Sequence, residues 1–71
     1  MKHKKIVFLC ETSEDWITFY TIEDEILGIA LSKAEYPTIE DFTHALSKCE
    51  DAPIEPQDII GAKILEVKEV E

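Results

Sequence analysis

Arginine is absent from this 71-residue chain, glycine and cysteine occur twice each, and no apolar run reaches the length of about twenty residues that a membrane span needs. Each scarcity excludes something. With seven lysines, no arginine and sixteen aspartates and glutamates, the chain has the wrong sign for holding a phosphate backbone, where affinity comes from Lys and Arg displacing counterions. Direct binding to nucleic acid is not expected, and neither is adsorption to an anionic membrane. Two glycines cannot supply a Gly-rich phosphate loop. Cys10 and Cys49 lie far apart and outside any CxxC pair. Cys10 closes an apolar run and Cys49 falls on the apolar stripe of a helix, so both read as free core thiols, and disulfide-dependent scaffolds of this size usually carry more cysteines. The opening MKHKKIVFLC imitates a secretory leader, but its apolar run is too short and no small-residue cleavage site follows. Leu9 ahead of Cys10 also departs from the small residue of a lipoprotein signal. The expected compartment is the cytosol.

Catalytic groupings are equally scarce. Cys10, Cys49, His3 and His44 are the chain's cysteines and histidines, and their spacing contains no CxxC or HxxxH seed. On a helix His44 projects away from Cys49, so the two do not share an ion. Cys49 stands at the C-terminal end of its helix, where the dipole opposes a thiolate, and Cys10 sits among apolar neighbours and Glu11. The run Glu23, Asp24, Glu25 lacks the alternating Asp and Asn ligands and the glycine of a calcium loop. No metal, cofactor or enzymatic activity is expected. A buried substrate chamber also needs more scaffold than a domain that buries only about 60% of its unfolded surface.

What is present is enough apolar material for one thin core. Ten isoleucines, five leucines, three phenylalanines and one tryptophan contribute to 45% hydrophobic content, which argues against wholesale disorder. The clearest element is YPTIEDFTHALSKC, residues 36–49. Thr38 suits an N-cap, with Asp41 placed to close a capping box and Glu40 and Asp41 in the first turn. Ile39, Phe42, Ala45, Leu46 and Cys49 form an apolar stripe, while Asp41, His44 and Lys48 face water. So short a helix must press its stripe onto something else.

That partner is expected to be a sheet. Residues 5–10 read as a central strand on the continuous apolar run Ile6, Val7, Phe8, Leu9, Cys10. ETSED, residues 11–15, turns the chain. Residues 16–22, WITFYTI, are all β-branched or aromatic and favour a strand, although Thr12 with Asp15 could cap a helix there. Glu23, Asp24 and Glu25 fall where a hairpin reverses, without the Asn-Gly that would secure it. Residues 26–33 form the third strand, with Leu27, Ile29 and Leu31 toward the core and Gly28 and Ala30 opposite, open to close approach. EDAPIEP, residues 50–56, reads as an irregular crossover. Pro56, Gln57 and Asp58 can begin one helical turn. Gly61 then releases residues 62–70 into a last strand with Leu65 and Val67 inward, Lys63 and Glu69 solvated, and charges that discourage edge pairing. A helix with Ile60, Ile64 and Val67 on one face is the alternative.

The expectation is a single small acidic α+β domain over residues 1–71, in the order β-β-β-α-β, with an antiparallel sheet and one helix on one face. A short meander followed by a helix opened by Pro37-Thr38-Ile39-Glu40-Asp41 is similar to the order found in several small families of bacterial and phage proteins, antitoxins among them. The likeness is one of order and size and assigns no residue a role.

If Phe19, Leu27, Ile29 and Leu31 take the helix, Trp16 and Tyr20 lie on the other face beside Glu14, Asp15 and Glu23. Aromatics ringed by charge have the composition of an interface hot spot. The candidate partner-binding residues are therefore Glu14, Asp15, Trp16, Tyr20, Glu23, Asp24 and Glu25; alternatively, the aromatics simply cover the back of a thin sheet. From residue 6 to residue 62 there are thirteen acids against Lys33 and Lys48, a field that attracts a basic partner. The expected function is a non-enzymatic protein-binding module, a phage- or mobile-element-type regulator or inhibitor of a basic, nucleic-acid-handling protein. The alternative is a structural homodimer or accessory subunit whose charge serves solubility.

Overall fold

The computed structural model describes residues 5–70, so His3 lies outside it. β1 (Lys5–Glu11), β2 (Asp15–Ile22) and β3 (Glu25–Ser32) precede the helix α1 (Ile39–Leu46); β4 (Ala52–Pro53), a 3-10 turn at Pro56–Asp58 and β5 (Lys63–Val70) follow it. The five strands form one antiparallel sheet in the order β4-β3-β2-β1-β5. The α+β class and antiparallel sheet agree with the sequence reading, but the order does not. The crossover contributes a strand of its own, giving β-β-β-α-β-β. Ala52 pairs with Gly28 and Pro53 with Leu27, and proline is tolerated there because β4 is an edge strand that need not donate outward.

The β2–β3 hairpin sets the arrangement of both faces. Ile22 stands opposite Glu25, so only Glu23 and Asp24 form the turn. Both have positive φ, 46° and 69°, the requirement of a type I′ hairpin turn, here met without glycine. Left-handed backbone is strained for such side chains. Glu23→Asn combined with Asp24→Gly should stabilise the fold by about 1 kcal/mol, read as a rise of about 4–8 °C in Tm.

The register that follows corrects the sequence-based assignment of faces. Leu31, Ile29 and Leu27 stand opposite Trp16, Thr18 and Tyr20, whereas Phe19 stands opposite Gly28 and Ile17 opposite Ala30. Cross-strand partners share a face, and β1 extends the pattern, with Val7 opposite Tyr20, Leu9 opposite Thr18, Phe8 opposite Phe19 and Cys10 opposite Ile17. One face carries Val7, Leu9, Trp16, Tyr20, Leu27, Ile29 and Leu31. The other carries Phe8, Cys10, Ile17, Phe19, Gly28 and Ala30. Trp16 and Tyr20 therefore share their face with the three β3 residues, and Phe19 does not.

The helix covers the first face. Thr43 and Leu46 close over Val7, Leu9 and Thr18 around a cavity of about 170 Å³, and Phe42 is completely buried, with Ala45 beside it. Thr38 is the N-cap, its Oγ1 accepting from Asp41 N–H at 3.2 Å. The helix ends at Leu46, short of Cys49. Lys48 N–H donates to the Ala45 carbonyl and Cys49 N–H to that of Leu46, i→i+3 bonds that tighten and finish the last turn.

The crossover then passes from the helix layer round the β3 edge to the second face. Ile54 N–H donates to the Ile26 carbonyl at 2.8 Å, and Ile54 Cδ1 lies 2.9 Å from where a Cβ on Gly28 would stand. The close approach expected at Gly28 is thus made by the chain itself. Residues 54–62 cross the sheet to reach β5, with Gly61 at a φ of 83°, a conformation that favours glycine. Beneath this layer Cys10 and Ile17 are only 1% and 2% exposed. Phe8 and Phe19 stack at 5.1 Å on the same face.

β5 also departs from expectation. All eight of its residues are exposed, Leu65 and Val67 included. The ladder with β1 runs from Leu9–Glu66 to Cys10–Ile64, leaving Leu65 as the extra residue of a β-bulge. The bulge puts Ile64 and Val67 together on the second face, beside Cys10 and Phe8.

Candidate functional site

The seven residues singled out in the sequence do not form one patch. Glu14 and Asp15 lie at one end of β2, and Glu23, Asp24 and Glu25 cluster about the hairpin at the other. Seven strand steps, roughly 23 Å, separate Asp15 from Ile22. The two aromatics between them are engaged within the fold. Trp16 Nε1–H donates to the Tyr36 carbonyl at 2.7 Å, tying β2 to the segment that opens the helix. Lys33 Nζ lies 4.5 Å from the Trp16 ring centroid and 2.8 Å from Glu11 Oε2, which holds the Glu11 carboxyl below its ordinary pKa. Tyr20 lies under Lys5 Nζ at 4.2 Å. The Asp51 carboxylate near its hydroxyl pushes the phenol pKa up. Both rings are half-buried.

A different site is built where β4 stops. β4 pairs only with Leu27 and Gly28, and the Ser32 carbonyl accepts from Glu35 and Tyr36 N–H, so the edge of β3 is uncovered between them, at Ala30. The Ile26 carbonyl points outward to Ile54, and backbone groups two residues apart along a strand share an edge. The N–H and C=O of Ala30 therefore point outward as well, with no partner among the described residues. They open onto a groove of about 570 Å³ whose lining includes Ile17, Gly28, Ala30, Cys49, Ala52 and Ile54 and the acids Asp15, Glu50 and Asp58. No lysine lines it.

The arrangement combines an apolar floor, an unpaired strand edge and carboxylates around the rim. An extended segment can add its backbone to the Ala30 edge, place apolar side chains on the floor and meet the rim with cations. Of the seven sequence candidates only Asp15 takes part. Sequence reading misses Glu50, Asp58 and Ala30 because the groove exists only through the two-residue strand β4. The concentration of acids in residues 50–58, with no lysine among them, was the available signal.

Cys49 is half-buried in the groove lining and Cys10 is enclosed, and neither is in a disulfide. Burial pushes the Cys10 thiol pKa up, the direction that keeps it protonated. Among the described residues no three His, Cys, Asp or Glu side chains are grouped to hold a metal ion, and no helix is long and apolar enough to cross a membrane. No family model, curated protein or solved structure matches the chain.

Proposed function

We propose that this chain is a non-enzymatic protein-binding module that takes an extended, basic segment of a partner protein into the groove at the open edge of β3. The observation that carries the reading is the coincidence, in one place, of the unpaired Ala30 backbone, an apolar floor and three carboxylates with no lysine among them. Strand addition supplies affinity through main-chain bonds, and alternate side chains supply selectivity. The surrounding field speeds encounter: net charge is −9, and complementary charge acts mainly on association rate and partner choice. A nucleic-acid-handling protein is a natural source of such a segment, since its basic surface is already selected for acidic ligands, and occupying that surface would make this chain a regulator or inhibitor.

Fluorescence anisotropy with a labelled peptide of alternating lysine and leucine tests the reading. Binding should weaken as salt rises, and Glu50→Lys or Asp58→Lys should weaken it several-fold, whereas Glu40→Lys, outside the groove, should have little effect. Absence of binding, or equal loss in all three variants, rejects the groove as the site.

A further inference from the structure

We infer that the opposite edge of the sheet, β5, pairs with β5 of a second copy about a two-fold axis at Val67, forming a continuous ten-stranded sheet. β5 is the terminal strand of its sheet and eight residues long, with Ile64 57% and Val67 53% exposed. Long edges with exposed apolar residues are templates for strand pairing unless charge or shape blocks them.

The backbone polarity of the sheet selects the contact. Lys33 N–H donates inward to the Glu14 carbonyl, whereas the Ile26 carbonyl points outward to Ile54. Odd residues of β3 therefore bond to β2, and even residues point away. Carried across the pairs Leu27–Tyr20, Phe19–Phe8 and Val7–Lys68, the same alternation turns Lys68 and Glu66 toward β1 and the N–H and C=O of Val67 outward. An antiparallel pair centred on Val67 thus exchanges two backbone hydrogen bonds at the axis.

Charge selects the register. With Val67 on the axis, Glu66 of each copy stands opposite Lys68 of the other, in the closely spaced, non-hydrogen-bonded position. Shifting the axis by one residue sets Glu66 against Glu66 or Lys68 against Lys68. Within one chain Lys68 Nζ already lies 3.1 Å from Glu66 Oε1, so pairing extends this ion pair into a four-charge network. The lysine that would guard a lone edge is neutralised only in this register. On the second face Val67 meets its symmetry mate beside Phe8. The proposal does not depend on the β3 groove. Since β3 lies toward the far side of the sheet, the dimer would present two grooves, one toward each end, and gain avidity for a partner with two basic segments.

Light scattering on a size-exclusion column, over a dilution series, tests it. The 8.1 kDa chain should run at twice its monomer mass. Lys68→Glu, on an exposed side chain, sets like charges together twice across the axis and should raise the dimer dissociation constant about tenfold or more. Adding Glu66→Lys to that variant restores opposite charges and should restore the dimer. Val67→Pro removes an outward N–H that the ladder to β1 does not use, and should also give monomer. Circular dichroism verifies that each variant is folded. A wild-type chain that is monomeric at every concentration overturns the inference, as does a dimer that survives Lys68→Glu or Val67→Pro, or one that the added Glu66→Lys does not recover.

Discussion

Phe42→Ala should leave the chain largely unfolded under conditions where the parent is native. Phe42 is the largest side chain with no exposure at all, and it sits on the one α-helix among the described residues, on the side turned to the sheet. Truncating a buried phenylalanine costs about 3–5 kcal/mol, the lost transfer energy plus the cavity left behind. A domain of 71 residues has a total of about 4–10 kcal/mol to lose. The neighbourhood has little means of collapsing into the hole, since the helix is eight residues long and its N-cap at Thr38 fixes its entry. Urea melts followed by circular dichroism check this, with Glu40→Ala, exposed on the same helix, expected to stay within about 0.5 kcal/mol of the parent. A midpoint for Phe42→Ala close to that of Glu40→Ala would show that the helix is not seated as described.

Gly28→Ala is the second large effect, and it acts through backbone rather than cavity. An added Cβ would press on the Thr18 carbonyl oxygen, stand 2.7 Å from Phe19 Cα and 2.9 Å from Ile54 Cδ1. The isoleucine methyl can swing away. The two backbone contacts cannot, because Gly28 and Phe19 are paired within the hairpin. Overpacking of this kind costs about 1–3 kcal/mol and more where backbone must move. Gly28→Ala should therefore lower Tm by about 10 °C or more, and adding Ile54→Ala should not recover it. Recovery in the double variant would place the conflict in the side chain and leave the β2–β3 approach looser than described.

Local chemistry made much of this fold legible. Thr38 followed by acids announces the helix, Pro56 opens its 3-10 turn, and β-branched and aromatic runs become β1, β2, β3 and β5. What could not be read locally was parity. Strands taken to end at Ile22 and resume at Ile26 imply a three-residue turn and set Phe19 against Ile29. The observed turn holds two residues and sets Phe19 against Gly28. One residue in a hairpin moves every side chain of the partner strand to the other face, and nothing in Glu23-Asp24-Glu25 marks the shorter turn, since it closes without glycine. The same kind of error recurs in β5, where the bulge at Leu65 breaks the alternation that set Leu65 and Val67 inward.

The candidate site inherits this limit. On the face away from the helix Trp16 and Tyr20 would be open to a partner; on the helix side Trp16 is held by Tyr36 and Lys33, and Tyr20 lies under Lys5. The groove depends on how far β4 extends along β3, a long-range pairing of a two-residue strand with no propensity of its own to betray it. The acidity, by contrast, was visible throughout and still points toward a basic partner.

Backbone amide NMR during titration with the lysine-leucine peptide tests that conclusion most directly. The account predicts shifts concentrated at Ala30, Leu31, Glu50, Ala52 and Asp58, with slowed hydrogen exchange at the Ala30 amide as its outward bond is made. Shifts confined to the hairpin acids Glu23 to Glu25, or spread evenly over the surface with no protection at Ala30, would contradict it.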